Sequence, residues 1–193
     1  MTPDRPETVP ADAAAGIEVT TTAARGAASL TAAHGALMVA GGPKVGEAAP
    51  LIEVTDLDGL DYSLGAARED GKSTLIFFLS PSCPVCKTLL PVLKSSQRSE
   101  RQWLEILLAS DGDAADQQRF IEKEKLEAFP YLLSSNLGLT YQVGKLPYAV
   151  LLDQDGIIRS KGLINSREHL ESLFEAKELG VASVQEYVSG ANR

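Results

Sequence analysis

The chain has 193 residues and a formal net charge of −8, and this length is typical of one domain with a tail. An apolar fraction of 44% is sufficient for a core. The acidic balance and the absence of a Lys/Arg-rich run argue against a nucleic-acid partner, because phosphate-binding proteins usually present a basic face. The longest apolar stretch near the N-terminus, residues 35–40, is far shorter than the roughly 18 residues that cross a bilayer. We therefore expect membrane contact only if an anchor has been lost from this sequence.

Composition divides the chain into three segments. Residues 1–44 are rich in Ala, Thr, Gly and Pro, which predicts a flexible or partly helical N-terminal arm. Residues 45–180 carry the patterned apolar runs and predict one folded domain. Residues 181–193 are interpreted as a C-terminal tail.

The folded segment opens with a predicted β-hairpin. Two short extended runs, Leu51–Thr55 and Asp61–Leu64, flank Asp58-Gly59, and an Asp-Gly pair between such runs is typical of a hairpin turn. Residues 73–80, which are almost continuously apolar, then predict a strand that is covered on both faces.

Helices and strands alternate through the rest of the domain, which predicts a sheet with helices on both faces. We expect a helix over 84–99, a strand over 103–109, a helix from an Asp113 cap to about Ala128, a strand over 131–135, a helical turn or short helix over 137–144, and strands over 148–153 and 157–162. The last two strands flank Asp155-Gly156 and form a second hairpin. The sequence therefore predicts an α/β fold with a mixed central sheet.

A final helix is expected to begin at Asn165 or Ser166. Asn165 and Glu168 have the spacing of a capping box. The apolar positions that follow form a stripe at helical spacing, and they are Leu170, Leu173 and Phe174.

Both cysteines of the chain, Cys83 and Cys86, lie in the motif "SCPVC" between a predicted strand and a predicted helix. Pro84 is well suited to the first helical position, which makes Cys83 the N-cap. The free N–H groups and the helix dipole favour the thiolate, so we expect a lowered pKa for Cys83. Cys83 is therefore the predicted nucleophile in disulfide exchange.

Cys86 is expected to be the shielded partner of this nucleophile. It shares a helix face with Leu89, Leu90 and Leu93, and that apolar face predicts contact with the core. Cys83 would form a mixed disulfide with a partner protein, and Cys86 would then attack Cys83 and release that partner.

Two other uses of the cysteine pair fit the sequence less well. A tetrahedral zinc site needs four ligands, and neither His34 nor His169 completes a recognisable spacing with the cysteines. A structural disulfide across so short a loop would add little stability. We therefore expect a redox-active Cys83–Cys86 disulfide and no other cofactor or metal.

The order of motifs resembles the thioredoxin fold over residues 45–180. The resemblance rests on "SCPVCK", on a helix that contains Pro91 and on "KLPYAVLLDQDGII". The hairpin "GEAAPLIEVTDLDG" is similar to the TlpA/redoxin branch. Within that branch, "GPKVGEAAP", "SPSCPVCKTLLP", "LPYAVLLDQDG" and "GLINSREHLESLFEAKELGVASVQEY" resemble the MauD type of methylamine dehydrogenase accessory protein.

This resemblance implies a thiol–disulfide oxidoreductase or isomerase of the periplasm, in a family whose members are often tethered to the membrane. Its client would be the small, disulfide-rich subunit of methylamine dehydrogenase, and an upstream redox partner would reset the dithiol. Cys83 and Cys86 match the redox pair. Pro147 matches the cis-proline that faces the dithiol, where it would expose the backbone of Leu146 to a client peptide.

Two positions depart from the related redox families. Phe77 stands where thioredoxins carry a buried Asp, and Leu89 stands where TlpA-like reductases often carry a Glu. Without these acids, desolvation is expected to keep the pKa of Cys86 high. This fits an oxidant or isomerase better than a fast general reductase, although the sequence leaves the redox direction open.

Three alternative functions stay open. A peroxiredoxin-like peroxidase would need a Pro and a Thr where the chain has Ile76 and Ser80. A cytochrome c maturation-type reductase is disfavoured by Leu89. A non-catalytic chaperone module would bind the client and leave the dithiol idle.

Overall fold

The computed structural model of the chain describes residues 42–179. The elements in chain order are β1 (Ile52–Thr55), β2 (Asp61–Leu64), β3 (Ser73–Phe78), α1 (Pro84–Ser99), β4 (Leu104–Ser110), α2 (Ala114–Glu124), β5 (Tyr131–Leu133), α3 (Ser135–Thr140), β6 (Tyr148–Leu152), β7 (Ile158–Leu163) and α4 (Arg167–Leu179). The predicted C-terminal tail lies outside the described residues, as does the predicted N-terminal arm apart from residues 42–44. Within 42–179, no helix is both long enough and apolar enough to cross a bilayer.

Five strands form the central sheet, in the order β5-β4-β3-β6-β7. Strand β3 is central. All six of its residues are buried because β4 and β6 flank it and side chains cover both faces of the sheet. It runs parallel to β4 and antiparallel to β6, and β6 and β7 form the predicted closing hairpin. The sheet is therefore mixed, as predicted. Strands β1 and β2 pair separately as the predicted N-terminal hairpin.

Neighbouring residues of β3 point to opposite faces of the sheet, and each face has its own core. Leu75 and Phe77 belong to a cluster that includes α1, α2 and α4, while Ile76 and Phe78 belong to a cluster that includes α3 and the hairpin. Helices thus cover both faces, as the alternation predicts. The helical residues of the first cluster are Cys86, Leu89, Leu90, Leu93, Phe120, Ile121, Leu170 and Leu173.

Helix α2 ends earlier than the sequence predicts. It begins after the expected cap, where the Asp113 carboxylate accepts the N–H groups of Ala115 and Asp116. It ends at Glu124 because Lys125 adopts a left-handed conformation, with φ of 55°. The reversal turns Leu126 into the core, where it is fully buried.

The cap of α4 lies one residue later than the predicted capping box. The His169 N–H donates to Ser166 Oγ at 3.4 Å, which makes Ser166 the capping residue. Asn165 precedes the helix, and its N–H donates to His169 Nδ1 at 3.3 Å. The apolar stripe is confirmed, since Leu170 and Leu173 are buried.

The segment before the hairpin covers the free edge of the sheet. The Gly46 N–H donates to the Ile158 carbonyl at 2.8 Å, and the Ile158 N–H donates to the Glu47 carbonyl at 3.0 Å. Lys161 Nζ donates to the Pro43 carbonyl at 2.6 Å. Strand β7 therefore does not present a free row of backbone groups to another chain along this stretch.

The turn between β6 and β7 packs tightly against the end of the first hairpin. Gly156 has φ of +75°, and a Cβ built on it would lie 2.2 Å from the Gly65 carbonyl oxygen. Only glycine fits this position, because the turn requires the left-handed region and leaves no space for a side chain.

We expect Gly156→Ala to destabilise the protein more than Gly71→Ala. Gly71 has a similar φ of +70° but nothing within 4 Å of a built Cβ, so it isolates the backbone cost of roughly 1–2 kcal/mol. The clash at Gly156 should add about 1–3 kcal/mol. Urea unfolding of both variants measures the difference, and equal losses of stability would contradict the tight contact.

Candidate active site

The segment between β3 and α1 sets the position of the first cysteine. The Leu79 N–H donates to the Ala109 carbonyl at 3.0 Å, which extends the pairing of β3 and β4 by one residue. A turn then follows, in which the Cys83 N–H donates to the Ser80 carbonyl at 3.0 Å and the Ser80 and Ser82 hydroxyls lie 2.9 Å apart. Serine and proline favour such turns, so "SPS" carries the chain from the buried strand to the start of the helix.

Cys83 is the N-cap of α1, as the sequence predicts. Its backbone is extended, with φ of −86° and ψ of 109°, and Pro84 occupies the first turn of the helix. The Cys86 N–H donates to Cys83 Sγ at 3.1 Å. This sulfur therefore receives one of the free N–H groups at the positive end of the helix, where negative charge is stabilised.

The two cysteines form a disulfide, with their Cα atoms 5.3 Å apart. Cys86 is fully buried, and the three leucines that share its helix face are at most 3% exposed. Cys83 is partly exposed at the edge of the same core cluster. A partner thiol can therefore reach Cys83 but not Cys86. Among the side chains that the structure describes, those of residues 42–175, no three His, Cys, Asp or Glu are grouped in a way that could hold a metal ion.

Pro147 lies at the same edge of the sheet as the dithiol. Phe78 at the end of β3 pairs with Tyr148 at the start of β6, so Leu79 and Pro147 continue these two strands side by side. The Leu146–Pro147 peptide bond is cis, Pro147 is buried and Leu146 is 39% exposed. The structure thus brings Cys83, Cys86 and Pro147 to one edge, while their catalytic roles stay predictions.

The surroundings of Cys86 are apolar. Phe77 is fully buried and Leu89 is 3% exposed, and both belong to the core cluster that contains Cys86. Neither position supplies a carboxylate that could accept the thiol proton. Tyr148 directly follows Pro147 in the sequence. Burial raises the pKa of the Tyr148 hydroxyl, so this group stays neutral near pH 7.

Sequence reasoning missed a cavity beside Leu146. The cavity has a volume of about 360 Å³ and lies between the ends of β3 and β4, helix α3 and the loop that leads to Pro147. Two glycines, Gly138 and Gly144, line it. These two glycines were the only signal in the sequence, and glycines within or just after a short helix are ordinarily interpreted as turn or helix-end residues.

Comparison with known proteins identifies the family. Residues 45–161 match the AhpC/TSA family. Methylamine utilization protein MauD of Paracoccus denitrificans is 44% identical over 159 residues, which cover 82% of this chain and 78% of that protein. The chain belongs to the MauD family. The resemblance seen in the sequence motifs is thereby confirmed.

Other relatives of this MauD-family protein are redox proteins. Thiol-disulfide oxidoreductase ResA of Bacillus cereus is 26% identical over 137 residues, which cover 68% of this chain and 78% of ResA. The crystal structure of the thioredoxin domain of thiol-disulfide oxidoreductase BVU-2223 from Bacteroides vulgatus has a TM-score of 0.56 and 25% identity, and it covers 71% of this chain and 97% of that domain. The fold is thioredoxin-like with an added N-terminal hairpin. The protein is a thiol–disulfide oxidoreductase that acts on a protein thiol client.

We expect iodoacetamide to label Cys83 first in the reduced, folded protein. Cys83 is partly exposed, whereas Cys86 is fully buried and reacts only when α1 opens. Peptide mass spectrometry after timed labelling gives the two rates, and we expect them to differ by about tenfold or more. Labelling after denaturation is the control, where the two rates should become similar. Equal labelling of both cysteines under native conditions would contradict the assignment of exposed and shielded sulfurs.

A carboxylate placed beside Cys86 should speed the release of a mixed disulfide. Leu89→Glu supplies a proton acceptor on the same helix face, and Leu89→Gln is the matched control that introduces polarity without a base. We load Cys83 with glutathione and follow glutathione release between pH 6 and 9. The Glu variant should release it about tenfold faster than the Gln variant. Equal rates at every pH would show that proton removal from Cys86 does not limit release.

Proposed function

We propose that this protein exchanges disulfides with the small subunit of methylamine dehydrogenase and so aids the maturation of that enzyme. Membership of the MauD family supports this, together with the name of the relative from Paracoccus denitrificans, which refers to methylamine utilization. The observation that carries the proposal is the difference between the two sulfurs, one at a helix start and partly exposed, the other fully buried. We place the reaction in the periplasm, as the family resemblance implies, where disulfides form and persist.

In the oxidising direction, a client thiolate attacks Cys83 Sγ, because that sulfur is the accessible one of the pair. The Cys83–Cys86 bond breaks, Cys86 leaves as a thiolate and takes up a proton, and the client is held on Cys83. A second client thiolate attacks the client sulfur and releases Cys83. The client loses two electrons and two protons as its dithiol closes, and the protein dithiol gains them. An upstream disulfide partner then restores the Cys83–Cys86 bond.

In the isomerising direction, the reduced protein begins the cycle. The Cys83 thiolate attacks a client disulfide, and the N–H of Cys86 and the helix dipole stabilise the charge on this sulfur before attack. A different client thiolate then displaces Cys83, so the client changes its pairing with no net transfer of electrons. If no second client thiolate attacks, Cys86 attacks Cys83, displaces the client and leaves that client disulfide reduced. The slow removal of a proton from Cys86 in its apolar pocket would leave time for the rearrangement.

The match to the AhpC/TSA family raises peroxide reduction as a second possibility. The peroxiredoxin signature has a Pro seven residues before the cysteine and a Thr three residues before it, and this chain has Ile76 and Ser80 at those positions. Ile76 is fully buried on the face of the sheet opposite to Cys86, and the Ser80 hydroxyl is engaged by Ser82. These positions favour disulfide exchange over peroxide chemistry.

A Cys86→Ala variant should trap the client. Without the second sulfur, the mixed disulfide on Cys83 has no internal route of release, so it should accumulate. We would express the variant in a methylamine-utilising bacterium that lacks its own MauD, grow it on another carbon source with methylamine added, quench the cells with acid and identify disulfide-linked proteins by mass spectrometry. We expect the small subunit of methylamine dehydrogenase to be the main species, at several-fold excess over any other.

A variant with both Cys83→Ala and Cys86→Ala is the matched control and should trap nothing. Capture of many unrelated proteins would instead indicate a general redox role. Growth on methylamine gives a second readout, since Cys83→Ala should abolish it. Full growth of that variant would favour the chaperone alternative and refute the proposed chemistry.

A further inference from the structure

The loop over residues 142–146 leads to Pro147 and has few contacts of its own. Its first two residues, Gln142 and Val143, donate their N–H groups to carbonyls of α3 at 3.1 and 2.9 Å. The other three, 144–146, make no hydrogen bond with any residue that the structure describes. The next anchor of the chain is Pro147, which is buried. The position of the exposed residue before Pro147 therefore depends on what holds the start of the loop.

The first residue of the loop has an unfavourable backbone conformation. Gln142 has φ of 51°, in the left-handed region that few residues other than glycine adopt. Such a conformation costs free energy and persists only where surrounding contacts hold it. One such contact comes from the strap, which we define as residues 42–49. A Cβ built on Gly42 would lie 3.2 Å from the Tyr141 carbonyl oxygen and 3.3 Å from Gln142 Cβ, so the strap lies directly against this residue.

The strap is itself held by strand β7. The Gly46 N–H donates to the Ile158 carbonyl at 2.8 Å, and Lys161 Nζ donates to the Pro43 carbonyl at 2.6 Å. Lys161 is partly buried, where a hydrogen bond from an ammonium group is stronger than in water. Pro43 is the residue after Gly42, so the Lys161 contact holds the strap against the loop.

Protection of the sheet edge does not account for the whole strap. Backbone pairing with β7 is made by residues 46–49. The preceding residues, 42–45, reach the loop, since Gly42 is buried and Val45 packs against the same core cluster as Val143. This half of the strap therefore contacts the loop and not a free strand edge.

We propose that Lys161 and Gly42 are positioning residues for disulfide exchange, because through the strap they hold the loop that presents Leu146 to the client. Neither residue lies on β3 or α1, the elements that carry the dithiol, and both act through Gln142. This inference rests on the proposed exchange with a protein client that contacts the backbone of Leu146. It adds the residues that keep this backbone in place.

Two reductants of the oxidised full-length protein test this assignment. One is a peptide with two cysteines, whose thiols close to a disulfide while the Cys83–Cys86 bond is reduced, so two electrons and two protons pass from peptide to protein. The other is dithiothreitol, which performs the same reaction but has no peptide backbone to pair with the loop. Acid quenching, alkylation and mass spectrometry give both second-order rates. The ratio of the peptide rate to the dithiothreitol rate cancels any change in the dithiol itself.

Gly42→Ala should lower this ratio, and Gly46→Ala is the matched control. Both glycines belong to the strap and have positive φ, of +65° and +87°, so alanine has a similar backbone cost at either position. Only at Gly42 would the added methyl group press on Tyr141 and Gln142, because nothing lies within 4 Å of a Cβ built on Gly46. We expect Gly42→Ala to lower the ratio about fivefold and Gly46→Ala to leave it unchanged.

Lys161→Met should also lower the ratio about fivefold, because it removes the bond to Pro43 while keeping most of the apolar side chain. Lys161→Arg retains a cationic donor and should restore the ratio to within about twofold of the wild-type value. Lys123→Met, at an exposed position of α2, controls for the loss of one positive charge. Thermal unfolding checks that each variant is folded, and the Lys161 variants provide the test if Gly42→Ala does not fold.

The outcomes separate the positioning role from the exchange chemistry. Unchanged ratios in both Gly42→Ala and Lys161→Met, with peptide oxidation intact, would overturn the role of the strap and leave the exchange chemistry in place. Equal losses in Gly42→Ala and Gly46→Ala would also overturn it, because the contact with Gln142 would then not be the cause. No oxidation of the peptide by the wild-type protein would refute the proposed exchange, and the positioning role with it.

Discussion

The start of helix α1 is the constraint on which the redox site depends. Cys83 caps the helix, and Cys86 lies one turn further on the face that packs into the core with Leu89, Leu90 and Leu93. Each buried leucine stabilises that packing by roughly 1.5–3 kcal/mol. The helix cannot rotate to expose Cys86 without removing these side chains from the core. The same contacts therefore hold one sulfur at the surface and the other beneath it, so packing energy sets the order of the chemical steps.

The topology of the sheet brings the remaining parts of the site to this helix start. Strands β3 and β4 are parallel, so the loops after them leave at the same edge, and antiparallel β6 enters from that edge through Pro147. The register of Phe78 with Tyr148 fixes how far Pro147 reaches along the edge. A shift of one residue would turn every side chain of β6 to the opposite face of the sheet and disrupt the packing of both core clusters. The place of Pro147 beside the dithiol segment is thus a consequence of core packing on both faces of β3.

The sequence predicts those parts that depend on local patterns. The continuous apolar run of β3, the Asp-Gly turns and the strand–Cys–Pro–helix order each have one reasonable interpretation, and the structure has the elements there. The predicted start of α4 at Asn165 or Ser166 includes the observed cap, Ser166, whereas the predicted Asn165–Glu168 capping box is wrong by one residue because both side chains can cap a helix. A tertiary contact decides between the two residues. The Ile164 N–H donates to the Pro147 carbonyl at 3.0 Å and keeps the chain extended up to Ile164. The cavity beside Leu146 was missed for a similar reason, because an empty space depends on residues from four separate segments.

The apolar surroundings of Cys86 bear on how fast a partner bound to Cys83 is released. Phe77 and Leu89 are buried apolar side chains in the core cluster of Cys86. Neither position therefore supplies a carboxylate that would speed the release of a client bound to Cys83. A general reductase gains from fast release, because it must turn over with many partners. A protein that serves one client gains from a long-lived mixed disulfide, provided that the wrong partners are excluded before the bond forms.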